Sequence, residues 1–258
     1  MKKIYNRLLG YMLTVIIMLS AGVQLCQAKI LMVSVGINRY PQRGVTPLRL
    51  AENDARDFAR LLLADKGADI RLILGANATK ATVVNNLRQI AAQASPGDVL
   101  CLFFSGHGLK GGMALTDTKT YDTLLTYKEI SQIFKSSKAQ TKLIFGDTCH
   151  SGSMRLGKKN PTANDINRLK SQDIILFLSS RDNETSMEAG FGMKNGIFTN
   201  FVLSGMTGSA DANRDGDVTA KELFDYVSRQ VRTVTRNRQH PVMWGKFDAN
   251  KVISSIIH

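Results

Sequence analysis

Phe103-Phe104-Ser105-Gly106-His107-Gly108 and Phe145-Gly146-Asp147-Thr148-Cys149-His150-Ser151-Gly152 are the stretches whose reading decides the fold. Each follows an apolar run of strand type, Val99 to Phe104 and Leu143 to Phe145. Short apolar runs bounded by turn residues suit strands buried on both faces, as in parallel sheets. The glycine-flanked segments then stand where such strands open into loops at their carboxyl ends, the place where α/β sheets hold their chemistry. A histidine and a cysteine there, able to meet on adjacent strands, form a candidate general base or acid and a thiol nucleophile. Strand residues two apart project to the same side, so Ser105 joins His107 and Asp147 joins Cys149.

Outward from these segments the period alternates between strand and helix. Ile30 to Ile37 reads as a strand, and Ala51, Ala55, Phe58, Ala59 and Leu62 have helical spacing. Ile70 to Leu74 is a second strand; Thr79 to Ala94 is a helix with Val83, Leu87, Ile90 and Ala91 on one face; Pro96-Gly97-Asp98 turns into the histidine strand. Thr126 and Glu129 make a capping box before Ile130, Ile133 and Phe134. Ile174 to Leu178 is a further strand, and a helix starts near Ile197. The pattern predicts an α/β fold, a three-layer sandwich around a mostly parallel central sheet, in one domain over residues 29–258.

The first 28 residues read as a processing segment. Lys2, Lys3 and Arg7 precede an uncharged run from Leu8 to Ala28, and Cys26-Gln27-Ala28 offers the small residues a signal peptidase accepts. Cleavage after Ala28 is the expectation, with an uncleaved membrane anchor over residues 8–28 as the rival; either way the remainder is exported, to the periplasm or beyond the cell. The whole chain of 258 residues carries a formal net charge of +13, and loss of this acid-free segment with its three basic residues leaves +10. The remaining Lys and Arg are spread without aromatic interleaving, which describes a solvated basic surface and no specific nucleic-acid site. Only Cys101 and Cys149 would stay after cleavage, so no disulfide framework is built, and Cys101 inside an apolar strand reads as a small buried hydrophobe.

A thiol attacks as the thiolate; a nearby imidazole favours that form and later protonates the leaving amine, and glycines let backbone N–H groups approach a developing oxyanion. The pairing of Ser-Gly-His-Gly with Asp-x-Cys-His-Ser-Gly resembles the caspase-like cysteine peptidases, most closely their metacaspase-type and bacterial members. The resemblance runs from Ile30 to about Trp244 and includes Val35-Gly36-Ile37-Asn38 and Asn195-Gly196-Ile197-Phe198-Thr199. It implies a caspase-haemoglobinase-like fold, Cys149 as nucleophile, His107 as its partner, and an oxyanion held by the N–H groups of Gly108 and Cys149. No cofactor is required for such chemistry.

In metacaspases the pocket for the residue before the cut bond is acidic, and the resemblance places Asp54, Ser105 and Asp147 there. One carboxylate at about 4 Å attracts a cation by roughly 4 kcal/mol at an effective dielectric of 20 before desolvation. The pair therefore implies protein or peptide substrates cut after Arg or Lys. The alternative for Asp54 is stabilisation of the amino end of its own helix. Arg43 or Arg49 would serve a pocket for Asp, but their spacing from Asp54 does not match. Asp182, Glu184 and Glu188 are secondary candidates for extending an acidic groove.

Asp211, Asn213, Asp215, Asp217 and Glu222 follow the ligand spacing of a calcium-binding EF-hand loop over residues 211–222, with Gly216 at its sixth position and Thr219 at its ninth. Calcium is the candidate ion, and a capping box of Thr219 and Glu222 before Leu223, Val227 and Val231 is the competing use of the same residues. The calcium cluster of metacaspases is a different one; after His107 only Asp117 and Asp122 stand in the matching stretch. The segment 154–170 reads as an exposed basic linker, with Arg155, Lys158, Lys159, Arg168 and Lys170 available for self-processing. Cys149 to Arg155 also has the spacing of a phosphatase loop, which leaves the histidine segment unexplained. A catalytically inactive, calcium-tuned binding module is the non-enzymatic alternative.

Overall fold

The computed structural model describes residues 28–63, 67–109, 111–149, 173–181, 184, 187 and 192–256, with Cys149 described by its place in a strand. In chain order the elements are β1 (Ile30–Gly36), α1 (Ala51–Leu63), β2 (Asp69–Leu74), α2 (Lys80–Gln93), β3 (Val99–Leu109), β4 (Gly112–Met113), β5 (Leu125–Thr126), α3 (Tyr127–Ser136) and β6 (Thr141–Cys149). They continue with β7 (Ile175–Leu178), α4 (Ile197–Ser204), β8 (Asp217–Thr219), α5 (Ala220–Val234), β9 (Val242–Trp244) and β10 (Val252–Ser255).

The main sheet runs β2-β1-β3-β6-β7-β9. Its first five strands are parallel, and β9 pairs antiparallel with β7. Alternation divides its side chains between two cores. Leu31, Val33 and Val35 with Leu100, Leu102 and Phe104 meet Val83, Leu87 and Ile90 of α2 and Ile130 and Phe134 of α3 on one face. Met32, Cys101, Phe103 and Phe145 meet Phe58 of α1, Ile197 and Phe198 of α4, and Leu223 and Val227 of α5 on the other. The predicted three-layer sandwich is what forms. Cys101 is buried, as its apolar strand implied, and burial pushes its thiol far up from the ordinary range, so it is inert.

The helix entries are local consequences of sequence. Thr126 and Glu129 close the predicted capping box at α3, and Thr79 accepts from the Thr82 N–H at the start of α2. Phe58 stacks on Phe103 with centroids 4.5 Å apart, and Phe145 stacks on Phe177 at 4.9 Å, so a run of rings locks α1 over the middle strands. At the end of β1, a Cβ on Gly36 would lie 2.4 Å from the Ala51 carbonyl oxygen. The Asn38 side chain accepts from the Glu52 N–H at 3.0 Å and donates to the Arg49 carbonyl, and the Ser34 hydroxyl donates to the Ala55 carbonyl at 2.8 Å. Strand β1 thus seats α1 by direct backbone contact, and α1 carries Asp54.

The short antiparallel pieces lie outside the sequence expectations: the hairpin β4–β5, the edge strand β9, and the pairing of β8 with β10. Each has too few residues to show a period. The signal segment apart from Ala28, and the linker 154–170, lie outside the described residues. Among the described residues no helix is long and apolar enough to cross a membrane.

Replacing Gly36 by Ala forces α1 off its seat. A destabilisation of about 2 kcal/mol is expected, with a fall in Tm of about 4–8 °C. Thermal unfolding of Gly36→Ala beside wild type checks it, and an unchanged Tm would show that the contact yields at no cost.

Candidate active site

The register of β3 against β6 sets His107 opposite Cys149 and Ser105 opposite Asp147. The four residues proposed to converge from sequence alone therefore come from two paired positions at one sheet end. Gly108 follows His107 at the mouth of the same strand pair, one residue past the register of Cys149.

His107 is 1% exposed, and its Nε2 lies 2.7 Å from the Thr46 carbonyl oxygen. A carbonyl only accepts, so Nε2 carries the hydrogen and Nδ1 is the basic nitrogen of the ring. The Tyr40 ring packs on the imidazole with centroids 4.9 Å apart. The Tyr40 hydroxyl accepts from the His107 N–H at 2.9 Å and donates to the Ala114 carbonyl at 3.2 Å. It stands in the ladder between β3 and the residue after β4. Gly106 leaves it room, since a Cβ there would lie 2.6 Å from that oxygen. Thr46 and Tyr40 carry no local signal that links them to His107; only the fold brings the 40–46 segment across the sheet end.

Below the histidine lies a buried acidic pair. Asp54 is 2% exposed; its carboxylate accepts from the Ser105 hydroxyl at 2.8 Å and from the Gly196 N–H at 2.9 Å. Asp147 accepts from the Thr199 hydroxyl at 2.8 Å and the Thr199 N–H at 3.3 Å. One oxygen of each carboxylate lies within 3.1 Å of where a Cβ on Gly196 would sit, so only glycine lets the 195–199 segment pass between them. Leu48, Ala51, Asp54, Ser105, Gly106, Asp147 and Gly196 line a slot of about 10 Å³, the room of one water molecule. Asp54, Ser105 and Asp147 are thus brought together, and the structure turns Asp54 inward despite its place in the first turn of α1.

Burial, and next the charge of Asp147, push the Asp54 carboxyl up to about 8, against the donors Gly196, Ser105 and Asn195 that favour its ionised form. At neutral pH the pair holds a proton. A protonated Asp54 beside the charge of Asp147 makes a site where an external cation can take the proton's place.

Thr148, between Asp147 and Cys149, is held from β7: its N–H donates to the Ser179 hydroxyl at 3.1 Å. Gln239 is fully buried; it donates to the Ser179 carbonyl at 2.9 Å and accepts from the Met187 N–H at 2.9 Å. These two positioning residues were not found by sequence reasoning, because a lone Ser after a strand and a lone Gln in a connection carry no pattern. Glu184 departs from the acidic-groove expectation: its carboxylate accepts from the His240 N–H at 2.9 Å, lies 2.8 Å from His240 Nδ1 and sits 3.9 Å from the Arg181 guanidinium. Asp182 and Glu188 lie outside the described residues, as does Arg155 of the phosphatase-like spacing.

The loop 211–222 takes the backbone course of its motif, with Gly216 at φ 87° in the sixth position. Asp211 accepts from the N–H groups of Arg214 and Gly216, and Asn213 accepts from that of Asp215. Asp217 accepts from the Ser255 hydroxyl, while Glu222 accepts from the Thr219 hydroxyl and N–H and closes the capping box. Glu222 thus forms the capping box, a use that its spacing leaves compatible with a ligand role. Among the described residues no three His, Cys, Asp or Glu side chains stand grouped around a common metal position.

Comparison with known proteins agrees with the fold. The family described as "Caspase domain" matches residues 31–251. Among solved structures, protein GSU0716 from Geobacter sulfurreducens superimposes with a TM-score of 0.60 at 19% identity, over 89% of this chain and 100% of that one. The structure of pro-sf-caspase-1 gives a TM-score of 0.62 at 10% identity, over 88% and 95%. At such identities the two likenesses speak for the fold alone. No curated protein matches the chain.

The raised Asp54 carboxyl has a consequence for stability. A folded value near 8 against a model value of 3.8 means that the folded state binds the proton more tightly, so Asp54 weakens the fold as pH rises from about 4 to about 8. Asp54→Asn removes that loss. Its stability relative to wild type should grow across this window, at a slope of up to about 1.4 kcal/mol per pH unit. Urea midpoints at pH 5 and pH 8 measure it; a difference that does not change with pH would contradict the buried proton.

Proposed function

The chain belongs to the caspase-domain family, and from that premise we propose that it is an exported cysteine endopeptidase that cuts peptide bonds after Arg or Lys. The observation that carries the specificity is the buried pair Asp54 and Asp147 under the His107–Cys149 register. A guanidinium or ammonium entering the slot takes the place of the Asp54 proton, whereas an acidic side chain would add a third negative charge. The slot has to widen around such a side chain. Ser105 and Gly196 hold Asp54 in place from two sides meanwhile.

In the proposed reaction, His107 Nδ1 takes the proton of the Cys149 thiol, and the thiolate adds to the carbonyl carbon of the scissile bond. The N–H groups of Gly108 and Cys149 donate to the oxyanion. His107 then gives its proton to the leaving amine as the carbon–nitrogen bond breaks, and a thioester remains. Water attacks the thioester with His107 again as base, the carbon–sulfur bond breaks, and the thiol is restored. Thr46, holding Nε2–H, keeps the ring in the one tautomer that can do this. Basic residues in the 154–170 linker make it a substrate of the same site, which is the basis for self-processing.

One calcium ion is proposed for the 211–222 loop, where Asp211, Asn213, Asp215, Asp217 and Glu222 would have to turn in together to hold it. It would supply no chemistry to the reaction. The loop packs through β8 on β10 and leads into α5, so the ion acts on stability. A binding module with a retired site is the second reading, and the narrowness of the slot is what favours it.

Hydrolysis of fluorogenic peptides ending in Arg, Lys or Asp by residues 29–258 tests the proposal, with Cys149→Ala as control. Turnover after Arg and Lys, lost by at least 10³-fold in the control, is expected. Turnover only after Asp overturns the pocket, and none at all favours the binding module. Because a protonated Asp54 cannot attract a cation, kcat/KM for the Arg peptide should rise with pH up to about 8. In Asp54→Asn that rise should be absent and activity on Arg reduced about 10²-fold or more. Calcium at a hundredfold excess over its Kd should stabilise the protein by about 2.7 kcal/mol, and Asp215→Ala should remove the effect; a Tm indifferent to chelator would exclude a calcium site.

A further inference from the structure

The first strand begins on a buried acid. The Lys29 backbone nitrogen donates to Asp98 Oδ1 at 2.8 Å, while Asp98 Oδ2 accepts from the Ser95 N–H at 2.7 Å. Asp98 is 3% exposed, whereas Ala28 and Lys29 are both exposed. The same two segments are tied again where the Val99 N–H donates to the Lys29 carbonyl at 2.8 Å. A buried carboxylate at the edge of a fold ordinarily has a cationic partner. Here its visible partners are two neutral amides, one of which is the first atom beyond the expected signal-peptidase cut.

We infer that Asp98 is the receptor for the α-ammonium group created when the chain is cut between Ala28 and Lys29. Hydrolysis gives a hydroxyl to the Ala28 carbonyl carbon and a hydrogen to the Lys29 nitrogen. The resulting amine, with an ordinary pKa of about 7.7–8.0, takes a further proton from water at neutral pH. The hydrogen bond from a neutral amide to the Asp98 carboxylate becomes an ion pair in the same place.

Among the described residues, the charged groups on the adjoining strands are either already paired or basic. The groove beside this nitrogen is lined by Ile30, Leu61, Leu62, Val99 and Met206 with neighbouring apolar and hydroxyl side chains. On the adjoining strands the nearest charged groups in register are Asp69, already paired with Arg71 at 2.8 Å beside Leu31, and Lys142 opposite Leu100. The Lys29 side chain itself runs toward Gly67. Leader removal therefore does more than release the chain. It completes an ion pair that fastens β1, and β1 seats α1 and so Asp54.

This inference rests on the reading of residues 1–28 as a cleaved leader, and the two parts are tested separately. Amino-terminal sequencing of the exported protein should begin at Lys29; a different first residue overturns the inference by removing its ligand. Independently, a chain beginning at Lys29, released from a cleavable fusion, is compared with one beginning at Ala28 by urea unfolding at pH 6. The Lys29 start should be favoured about tenfold in its folding equilibrium, equivalent to about 1.4 kcal/mol. Asp98→Asn should abolish that difference; equal stability of the two starts, or a difference that survives the substitution, overturns the inference. Should Asp98→Asn not fold, pH decides. The ammonium's pKa is raised by its partner, so the advantage is whole below about pH 7.7 and is lost as pH rises through the raised value. An advantage that persists at pH 10 overturns the inference.

Discussion

Two buried carboxylates that repel each other across a narrow slot are the constraint on which the sheet end is built. Asp54 and Asp147 come from a helix and a strand that a fold would gain by keeping apart. They are held together by donors from two further elements: the Ser105 hydroxyl on β3, and the Gly196 N–H and Thr199 hydroxyl at the start of α4. Burial and mutual repulsion outweigh those donors at Asp54, which keeps its proton into the neutral range. Such an arrangement costs stability in the empty protein, and costs of this kind concentrate where a ligand is to be bound. The glycine between the carboxylates and the β1 contact that seats α1 serve one end: fixing two acids around a narrow space.

The same economy governs the histidine. Its ring is oriented from outside the sheet by Thr46 and Tyr40, and its backbone is held by the Tyr40 hydroxyl. The nucleophile strand is held from the far side by Ser179, itself gripped by Gln239. Both edges of the β3–β6 pair are therefore clamped by side chains from loops, while the pair itself sets the register. Positioning comes from long-range polar contacts, and the apolar faces of the sheet supply the rigid support beneath them.

Much of this was legible in the sequence, for physical reasons that differ by element. Strands buried on both faces announce themselves as unbroken apolar runs, which is why β1, β3 and β7 fall where expected and why Ser105 and His107, and Asp147 and Cys149, can each be put on one side of a strand end; the register that sets them opposite one another came from the structure. The capping boxes at Thr126 and Thr219 are local chemistry and appear as such. What sequence spacing cannot show is a contact made across many residues by one side chain: Tyr40 with His107, Gln239 with Ser179, Lys29 with Asp98. Short antiparallel pieces such as β4, β5 and β9 are equally silent, because two or three residues carry no period. Glu184 shows the opposite error, an acid read as part of a groove because its partner, His240, lies far along the chain. The acidic pair itself was placed by family likeness, and its burial is what gives the likeness a physical meaning.

Asp54 keeps its proton beside the charge of Asp147 until a cation displaces it. Calorimetric titration of Cys149→Ala with a peptide ending in Arg, at pH 7 in buffers of differing ionisation enthalpy, counts the protons exchanged on binding. A carboxyl near 8 that ionises to meet the guanidinium should release most of a proton per peptide bound. Binding with no proton release would mean that the slot is already ionised or receives no cation, and the account of this site would not stand.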